Sequence, residues 1–332
     1  MSVDPTLAPL LERFFMQRLM TQRQVSVHTI GSYRDSFRLL LAFAQRQRRR
    51  PPSRLLLSEI DAPLIDGFLN EVEKGRHCMP RSRNLRLTAI RSFFRFCAFE
   101  VPTHAGQIQR VLAIPAKREA HPLIGFLTRP EIEALLAAPD RQSWGGRRDY
   151  AFLYLALQTG LRLSELTSLT RTDLELGPGA HVRVHGKGRK ERCTPLTRQT
   201  VAVLKAWLDE PARGAGDMLF PTMHGDRLSS DAAQDLLAKH LAVARIRCPS
   251  LVTKRVTIHV LRHSAAMELL QSGVDPTVIA LWLGHESIKT TQIYLDADLA
   301  LKEAALAKTT PIAAKPKRFK PDDELLAFLS NL

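Results

Sequence analysis

The chain has 332 residues, enough for two domains that each bury their own core, and 45% of them are hydrophobic, which excludes a disordered chain. Lys and Arg number 48 against 33 Asp and Glu, a formal net charge of +15 that points to a polyanionic partner. No apolar run approaches the roughly 18 residues that span a bilayer, and neither a signal peptide, a cationic amphipathic anchor nor a lipidation signal is found, so a cytoplasmic protein is expected.

In chain order, Thr29 and Ser32 are placed to cap a helix through Tyr33, Phe37, Leu40, Leu41 and Phe43, an apolar stripe at helical spacing. A basic, proline-ended loop over residues 48–52 follows. Ser58 opens a second helical stretch through Ile65, Phe68 and Leu69. A third runs from about Ser82 to Phe99 and carries Leu85, Ile90, Phe93, Phe94 and Cys97, with Arg83, Arg86, Arg91 and Arg95 interleaved. Such arginines are either a solvated helix face or phosphate contacts. Residues 113–122 hold two prolines and few core formers, as a linker does. Thr128-Arg-Pro-Glu131 restarts a helix with a capping threonine, a proline in the first turn and an acid at N3.

The second half mixes helix and strand. Residues 150–158 form an apolar helix, broken at Thr159-Gly160-Leu161-Arg162 and resumed as a helical turn over 163–168. Residues 181–185 alternate with period two, as a half-buried strand does, and 192–196 are its partner across a basic, glycine-bearing turn. Helices follow at 199–208, 230–246, 259–272 and 276–283. The tail from Pro311 is basic and proline-containing; Asp322 can cap a terminal helix with Leu325, Leu326, Phe328, Leu329 and Leu332 as its apolar stripe. Cys78, Cys97, Cys193 and Cys248 form no CxxC pair, so they are read as reduced structural residues rather than a zinc or disulfide framework.

Four stretches can carry chemistry. His259 and Arg262 are three apart and share a helix face, suited to one phosphate, with the arginine as a two-pronged donor and the histidine as donor or acid/base; a structural histidine beside a surface arginine has the same pattern. In Thr159-Gly-Leu-Arg-Leu-Ser-Glu165 the glycine allows a sharp break that puts Arg162 at a helix start, where anions are favoured; Glu165 can instead pair with Arg162 and orient it, or the stretch is an ordinary capped start. Gly186-Lys187-Gly188 is a hairpin tip able to push one ammonium into a groove. It lacks the earlier glycine and following Ser/Thr of a nucleotide-binding loop, and a basic surface hairpin is the plainer alternative. In the last stretch Gly284 ends a helix, His285 sits in the turn, Ser287 can cap the next helix, and Ile288, Thr291 and Tyr294 share one face; a helical tyrosine is more often core than nucleophile.

With Arg162, Lys187, His259, Arg262, His285 and Tyr294 in this order, the sequence resembles the tyrosine recombinase (phage integrase) family, in particular its simple bacterial Xer-like branch. The stretches that carry the resemblance are TGLRLSEL, VRVHGKGRKERCTPL, HVLRHSAA and LGHESIKTTQIYL. It extends over nearly the whole chain, specific in the second half and looser in the first. One departure is the polar stretch 247–256 before His259, which reads as a longer loop and puts DNA contacts there in doubt.

The resemblance implies a mainly α fold with a small β-sheet: an N-terminal helical core-binding (SAM-like) domain over 1–112, a linker over 113–126, an α+β catalytic domain over 127–310 and a tail with a terminal helix over 311–332. It implies a site-specific recombinase or integrase that cleaves and rejoins DNA through a 3′-phosphotyrosyl intermediate on Tyr294. Arg162 and Arg262 would stabilise the charged transition state, Lys187 protonate the leaving 5′-oxygen, His259 serve as base toward Tyr294 and His285 donate to the phosphate; neither ATP nor a metal is required. Arg83, Arg86, Arg91, Arg189 and Lys190 are the expected DNA-binding residues. The partners are double-stranded DNA, further copies forming a tetramer on paired sites and, for some members, a related recombinase; the place of action is the bacterial cytoplasm, at the nucleoid. The terminal helix would dock on a neighbouring protomer or cap its own domain. A type IB topoisomerase shares this chemistry, but the Xer-like motif wording argues against it; a non-catalytic DNA-binding protein would not need all six groups, and a membrane-surface protein explains the charge alone.

Overall fold

The computed structural model describes residues 4–75, 78–119, 124–186, 191–211, 216–285, 287 and 289–297. Lys187, Arg189 and Lys190, part of the expected linker and the whole tail with its terminal helix lie outside the described residues. The chain forms two compact units, residues 1–121 and 122–332.

The first unit is helical: α1 (Leu7–Arg13), continued by a π-helical stretch Phe14–Gln22, then α2 (Val27–Arg48), α3 (Ala62–Gly75), α4 (Pro80–Glu100) and α5 (Ala105–Ala113). Phe14, Phe37, Phe93 and Phe94 form its aromatic centre, with Phe14 and Phe37 each edge-on to Phe93 at 5.5 Å between ring centroids, the arrangement that ring quadrupoles prefer. Three expectations are corrected. The helix expected to start at Thr29 or Ser32 begins at Val27, because Ser26 is the residue in extended backbone whose Oγ accepts from the Thr29 amide. The stretch expected to open at Ser58 begins at Ala62, because Asp61 takes the Leu64 amide at 2.9 Å and residues 57–59 form a separate short turn. Leu85 is exposed; the buried stripe of α4 is Leu87, Ile90, Phe94 and Cys97 with Phe93. A helix at 7–22 also precedes the first one expected.

The second unit is built of α6 (Arg129–Leu136), α7 (Trp144–Thr159), α8 (Leu163–Ser168), strands β1 (Leu174–Glu175), β2 (His181–His185) and β3 (Glu191–Pro195), then α9 (Arg198–Leu208), α10 (Ser230–Arg247), α11 (Ile258–Gln271), α12 (Pro276–Leu283) and α13 (Lys289–Ala297). The strands form one antiparallel sheet in the order β1-β2-β3, with His181 opposite Pro195 and His185 opposite Glu191. Val182 and Val184 face the core and Arg183 faces out, the period-two alternation of a half-buried strand. The mainly helical fold with a small sheet is as expected. No helix among the described residues is long and apolar enough to cross a membrane.

The central helix α7 buries Ala151, Phe152, Leu153, Leu155 and Ala156 and packs on α9 and α11. Asp149 in its first half is buried, hydrogen-bonded at 2.7 Å to His240 Nε2 of α10 and ion-paired at 2.7 Å to its neighbour Arg148. The polar stretch before α11 is tied down rather than loose. Buried Glu131 of α6 accepts from Ser250 Oγ at 2.6 Å, from Lys254 Nζ at 2.7 Å and from the Thr128 amide at 2.8 Å. A buried carboxylate needs this many donors, so the polarity of 247–256 answers a scaffold requirement.

The fold then places the site through one turn. Gly160 follows α7 at φ +63°, and a Cβ there would sit 2.7 Å from Leu283 Cδ2 and 3.2 Å from Ala265 Cβ. Backbone conformation and crowding both require glycine. Gly160→Ala is expected to lower unfolding free energy by about 1–3 kcal/mol, measured by urea denaturation; an unchanged midpoint would show that the turn relaxes freely.

Candidate active site

Helix α12 ends at Gly284, in left-handed conformation at φ +65°. A helix C-terminus leaves carbonyls without partners in its own helix and carries partial negative charge. Here three consecutive carbonyls are each taken by an arginine: Trp282 O by Arg192 Nε at 3.2 Å, Leu283 O by Arg262 Nη2 at 2.8 Å and Gly284 O by Arg162 Nη2 at 2.8 Å. Arg262 also donates to Gly160 O at 2.6 Å, so it joins the α7 turn to the α12 turn.

One carboxylate answers this cluster. Glu165, on the first turn of α8, accepts from the Arg162 amide at 2.8 Å and from Arg162 Nη1 at 3.0 Å. Arg192 donates to both Glu165 oxygens, at 3.0 and 2.8 Å. The orienting role weighed for Glu165 is thus seen, with Arg192 as a second client. Burial pushes the Glu165 carboxyl up, but the Arg192 hydrogen bonds, the Arg162 amide and both guanidinium charges outweigh it and hold the carboxyl below its ordinary range.

The nucleophile candidate lies against this cluster. Tyr294 on α13 is 1% exposed. Its Oη lies 3.2 Å from His263 Nδ1, and its ring stacks on His285 at 6.2 Å and 13°. His285 Nδ1 is 2.8 Å from Thr291 Oγ1, so the helix that carries the tyrosine also fixes the histidine. His259, exposed, packs edge-on against His263 at 5.3 Å.

Electrostatics assigns protonation states. Burial, then the charges of Arg262 and Arg162, push His285 down to about 4. Burial, then His259 and Arg262, push His263 down to about 4. Both rings are therefore neutral at pH 7. Burial lowers Arg262 to about 10, and neighbouring Arg162 adds to this; the group still stays charged at neutral pH. Burial raises the Tyr294 phenol, against the pull of the two arginines, so it is protonated in this state. The site thus combines the charges of Arg162 and Arg262, a neutral stacked histidine and a phenol, and it can take an anion.

Of the expected catalytic residues, the structure brings Arg162, His259, Arg262, His285 and Tyr294 together, while Lys187 lies outside the described residues, between His185 and Glu191 at the ends of β2 and β3. The expected DNA-binding arginines are placed differently from a free cationic face. Arg83 is 5% exposed, with Nη1 on Pro115 O at 3.4 Å and Nε 3.9 Å from Glu73; Arg91 donates to Ile114 O; Arg86 donates to Ser82 O of its own helix at 2.9 Å. The guanidinium fork of Arg83 and Arg91 satisfies carbonyls of the segment after α5, a scaffold task. Arg189 and Lys190 lie outside the described residues. Three site residues were not singled out in the sequence. His263 is one turn beyond His259 on the same face of α11, and extending that face would have found it. Thr291 was placed on the Tyr294 face without a role. Arg192 stood in a strand that spacing alone assigns.

Glu165→Gln removes the one charge that both arginines share while keeping the shape. Losing one partner of a buried pair costs on the order of 3 kcal/mol, and cleavage of DNA should fall with it. A carboxyl whose folded pKa is depressed contributes stability that is present above its unfolded pKa, about 4.3, and lost as pH falls through the folded value. The gap between wild type and variant in thermal melts should therefore be widest near neutrality and close in acid. A gap independent of pH would mean that Glu165 acts through shape alone.

Comparison with known proteins matches this geometry to a family. Residues 125–300 match the phage integrase family and residues 12–100 match the phage integrase N-terminal SAM-like domain. A protein of Sinorhizobium fredii named as an integrase/recombinase is 64% identical over 332 residues, all of both chains. The tyrosine recombinase XerC of Pelobacter propionicus is 31% identical over 93% of this chain and 98% of its own. In fold, the chain is similar to XerH site-specific recombinase solved on a palindromic difH substrate, with a TM-score of 0.65 at 22% identity over 86% of this chain and 81% of that one. It is also similar to lambda integrase solved as a dimer on a core site, with a TM-score of 0.62 at 20% identity over 89% and 78%. The chain belongs to the phage integrase family, the tyrosine-type site-specific recombinases.

Proposed function

We propose that this recombinase cleaves and rejoins double-stranded DNA by attack of Tyr294 on a phosphodiester, with Arg162, Arg262, His259, His285 and Lys187 as the groups that act on that phosphate. The observation that carries the reading is the convergence of the Tyr294 phenol, two guanidiniums and a neutral, tethered His285 on one turn, at the end of α12. A phosphate entering the pocket meets Arg162, whose side chain is 34% exposed, and exposed His259 first. Arg162 and Arg262 then face the non-bridging oxygens, where negative charge gathers in the transition state, and are already held in place by the α12 carbonyls and Glu165, so little reorganisation is needed. His285, neutral and fixed through Nδ1 by Thr291, presents its other ring nitrogen as a donor. A 5′-alkoxide is a poor leaving group, and the ammonium of Lys187, between β2 and β3 in sequence, is the group suited to protonate it, with Arg189 and Lys190 as the nearby residues in sequence that would enter the DNA groove.

XerH and lambda integrase were solved on DNA, and lambda integrase also as a tetramer on a Holliday junction; by that analogy two DNA sites are held by four copies, in the cytoplasm, where the DNA lies. Residues 1–112 would bind the duplex as a core-binding domain, 113–126 link it to a catalytic domain over 127–310, and 311–332 form the tail.

The test is a library of nicked suicide substrates. Wild type should form a covalent protein–DNA adduct and recombine two cognate sites; Tyr294→Phe should form none while keeping its duplex affinity. Adduct formation with relaxation but no recombination would instead favour a topoisomerase. Arg162→Ala and Arg262→Ala should each slow cleavage about 10²–10³-fold with a smaller loss of affinity, since affinity comes from many phosphate contacts. Equal losses in both would make them ordinary phosphate contacts. Lys187→Ala should recover on a 5′-bridging phosphorothiolate, whose thiolate leaves without a proton; no recovery would pass the acid role to Arg189, Lys190 or a histidine.

A further inference from the structure

We propose that His263, not His259, is the group that exchanges the proton of the Tyr294 hydroxyl, a catalytic role carried by the Nδ1–Oη contact. This rests on Tyr294 being the nucleophile. His263 follows Arg262 on α11, which anchors the α7 and α12 turns through Gly160 O and Leu283 O. That anchoring fixes the α11 backbone beside the pocket and leaves little freedom to its neighbour. Nδ1 lies 3.2 Å from Tyr294 Oη, within hydrogen-bond reach, and the two rings meet edge-on at 5.6 Å. The ring of His259 lies on the outer side of His263, 5.3 Å from it and exposed, where a phosphate arriving from solvent is met. The two histidines, one helical turn apart on one face, thus divide two tasks: His259 toward the phosphate and His263 toward the phenol.

Protonation fits the role. His263 is neutral at pH 7, and the role requires the tautomer with its proton on Nε2, which leaves Nδ1 to accept from the phenol. The groups that surround it are His259 and Arg262 on its own helix, His285 from the turn after α12 and Tyr294 from α13. Burial, then His259 and the charge of Arg262, disfavour a proton on His263. A phosphodiester brings one negative charge against that arginine, which favours the imidazolium when the reaction needs it.

The step balances. The Oη–H bond breaks and its proton moves to Nδ1 as the Oη electron pair forms the bond to phosphorus. The bond from phosphorus to the 5′-oxygen breaks, and that oxygen takes a proton from a separate acid. On rejoining, an incoming 5′-hydroxyl gives its proton to that acid's conjugate base and attacks phosphorus. The phenolate leaves and recovers its proton from His263. The same ring serves both directions, so no proton is left over after a full cycle.

The test uses the full-length protein on a suicide substrate that wild type cleaves. His263→Asn keeps a hydrogen-bonding group where Nδ1 lies but cannot accept the proton. It should slow adduct formation by roughly 10²-fold or more at unchanged DNA affinity. Replacing Tyr294 with a fluorinated tyrosine, whose phenol ionises at lower pH, should then restore most of that loss. His263→Gln is made in parallel, so that the comparison stands if the asparagine variant melts early. A folded variant that cleaves at the wild-type rate overturns the proposal. So does a slow variant that the fluorinated tyrosine does not speed up, since a ring that only packs against Tyr294 gives no rescue through phenol acidity. Absence of any adduct with wild type would overturn the nucleophile assignment itself, a separate outcome.

Discussion

Three carbonyls at the C-terminal end of α12, on Trp282, Leu283 and Gly284, are satisfied by three arginines that come from β3, from α11 and from the turn before α8. Helix ends ordinarily meet water or a capping residue. Here the partners are long guanidinium side chains, each from a different element. Because Arg262 also holds Gly160 O and Glu165 is shared by Arg162 and Arg192, the α7 turn, the α8 start, the hairpin and the α12 turn become one network. His285 follows Gly284 directly, and its position is inherited from that network.

The same arrangement sets the chemistry. Three guanidiniums, of Arg162, Arg192 and Arg262, around the carboxylate of Glu165 leave net positive charge that an anion can neutralise. Burial first, and then the neighbouring charges, keep His263 and His285 uncharged at neutral pH. Neutral rings can accept a proton from a phenol or hold a fixed tautomer; imidazolium ions at the same positions would repel the arginines. Tyr294 and Thr291 lie on one face of α13, each bonded to a different histidine. The position of α13 therefore sets both contacts together.

Away from the pocket, buried charge holds the scaffold. Asp149 joins α7 to His240 of α10, and Glu131 ties α6 to the segment before α11 through Lys254 and Ser250. Burial pushes both carboxyls up, but the hydrogen bonds and charges around them hold both below the ordinary range. Removing one partner from either cluster would leave an uncompensated charge in the interior. The polar stretch 247–256, which looks like a solvated loop by composition, is ordered by this requirement.

Local rules made much of this protein legible from residues alone. Gly160 and Gly284 mark helix ends because only glycine takes their backbone conformation at no cost. The period-two run at 181–185 and the apolar runs of α7 and α10 to α12 carry their own periodicity, and the motif stretches pointed to the family. The errors fell where neighbours in sequence compete: Ser26, Thr29 and Ser32 can all cap, and the choice of Ser26 depends on where the chain leaves helical dihedrals. Partners across the fold were decided by tertiary structure. That Arg83 and Arg91 serve the carbonyls after α5, that Arg192 shares Glu165 with Arg162, and that His263 rather than His259 touches the Tyr294 hydroxyl depend on distances between segments far apart in sequence. Sequence spacing fixes a side chain's face on its own helix; which group it meets there is set by how the helices pack.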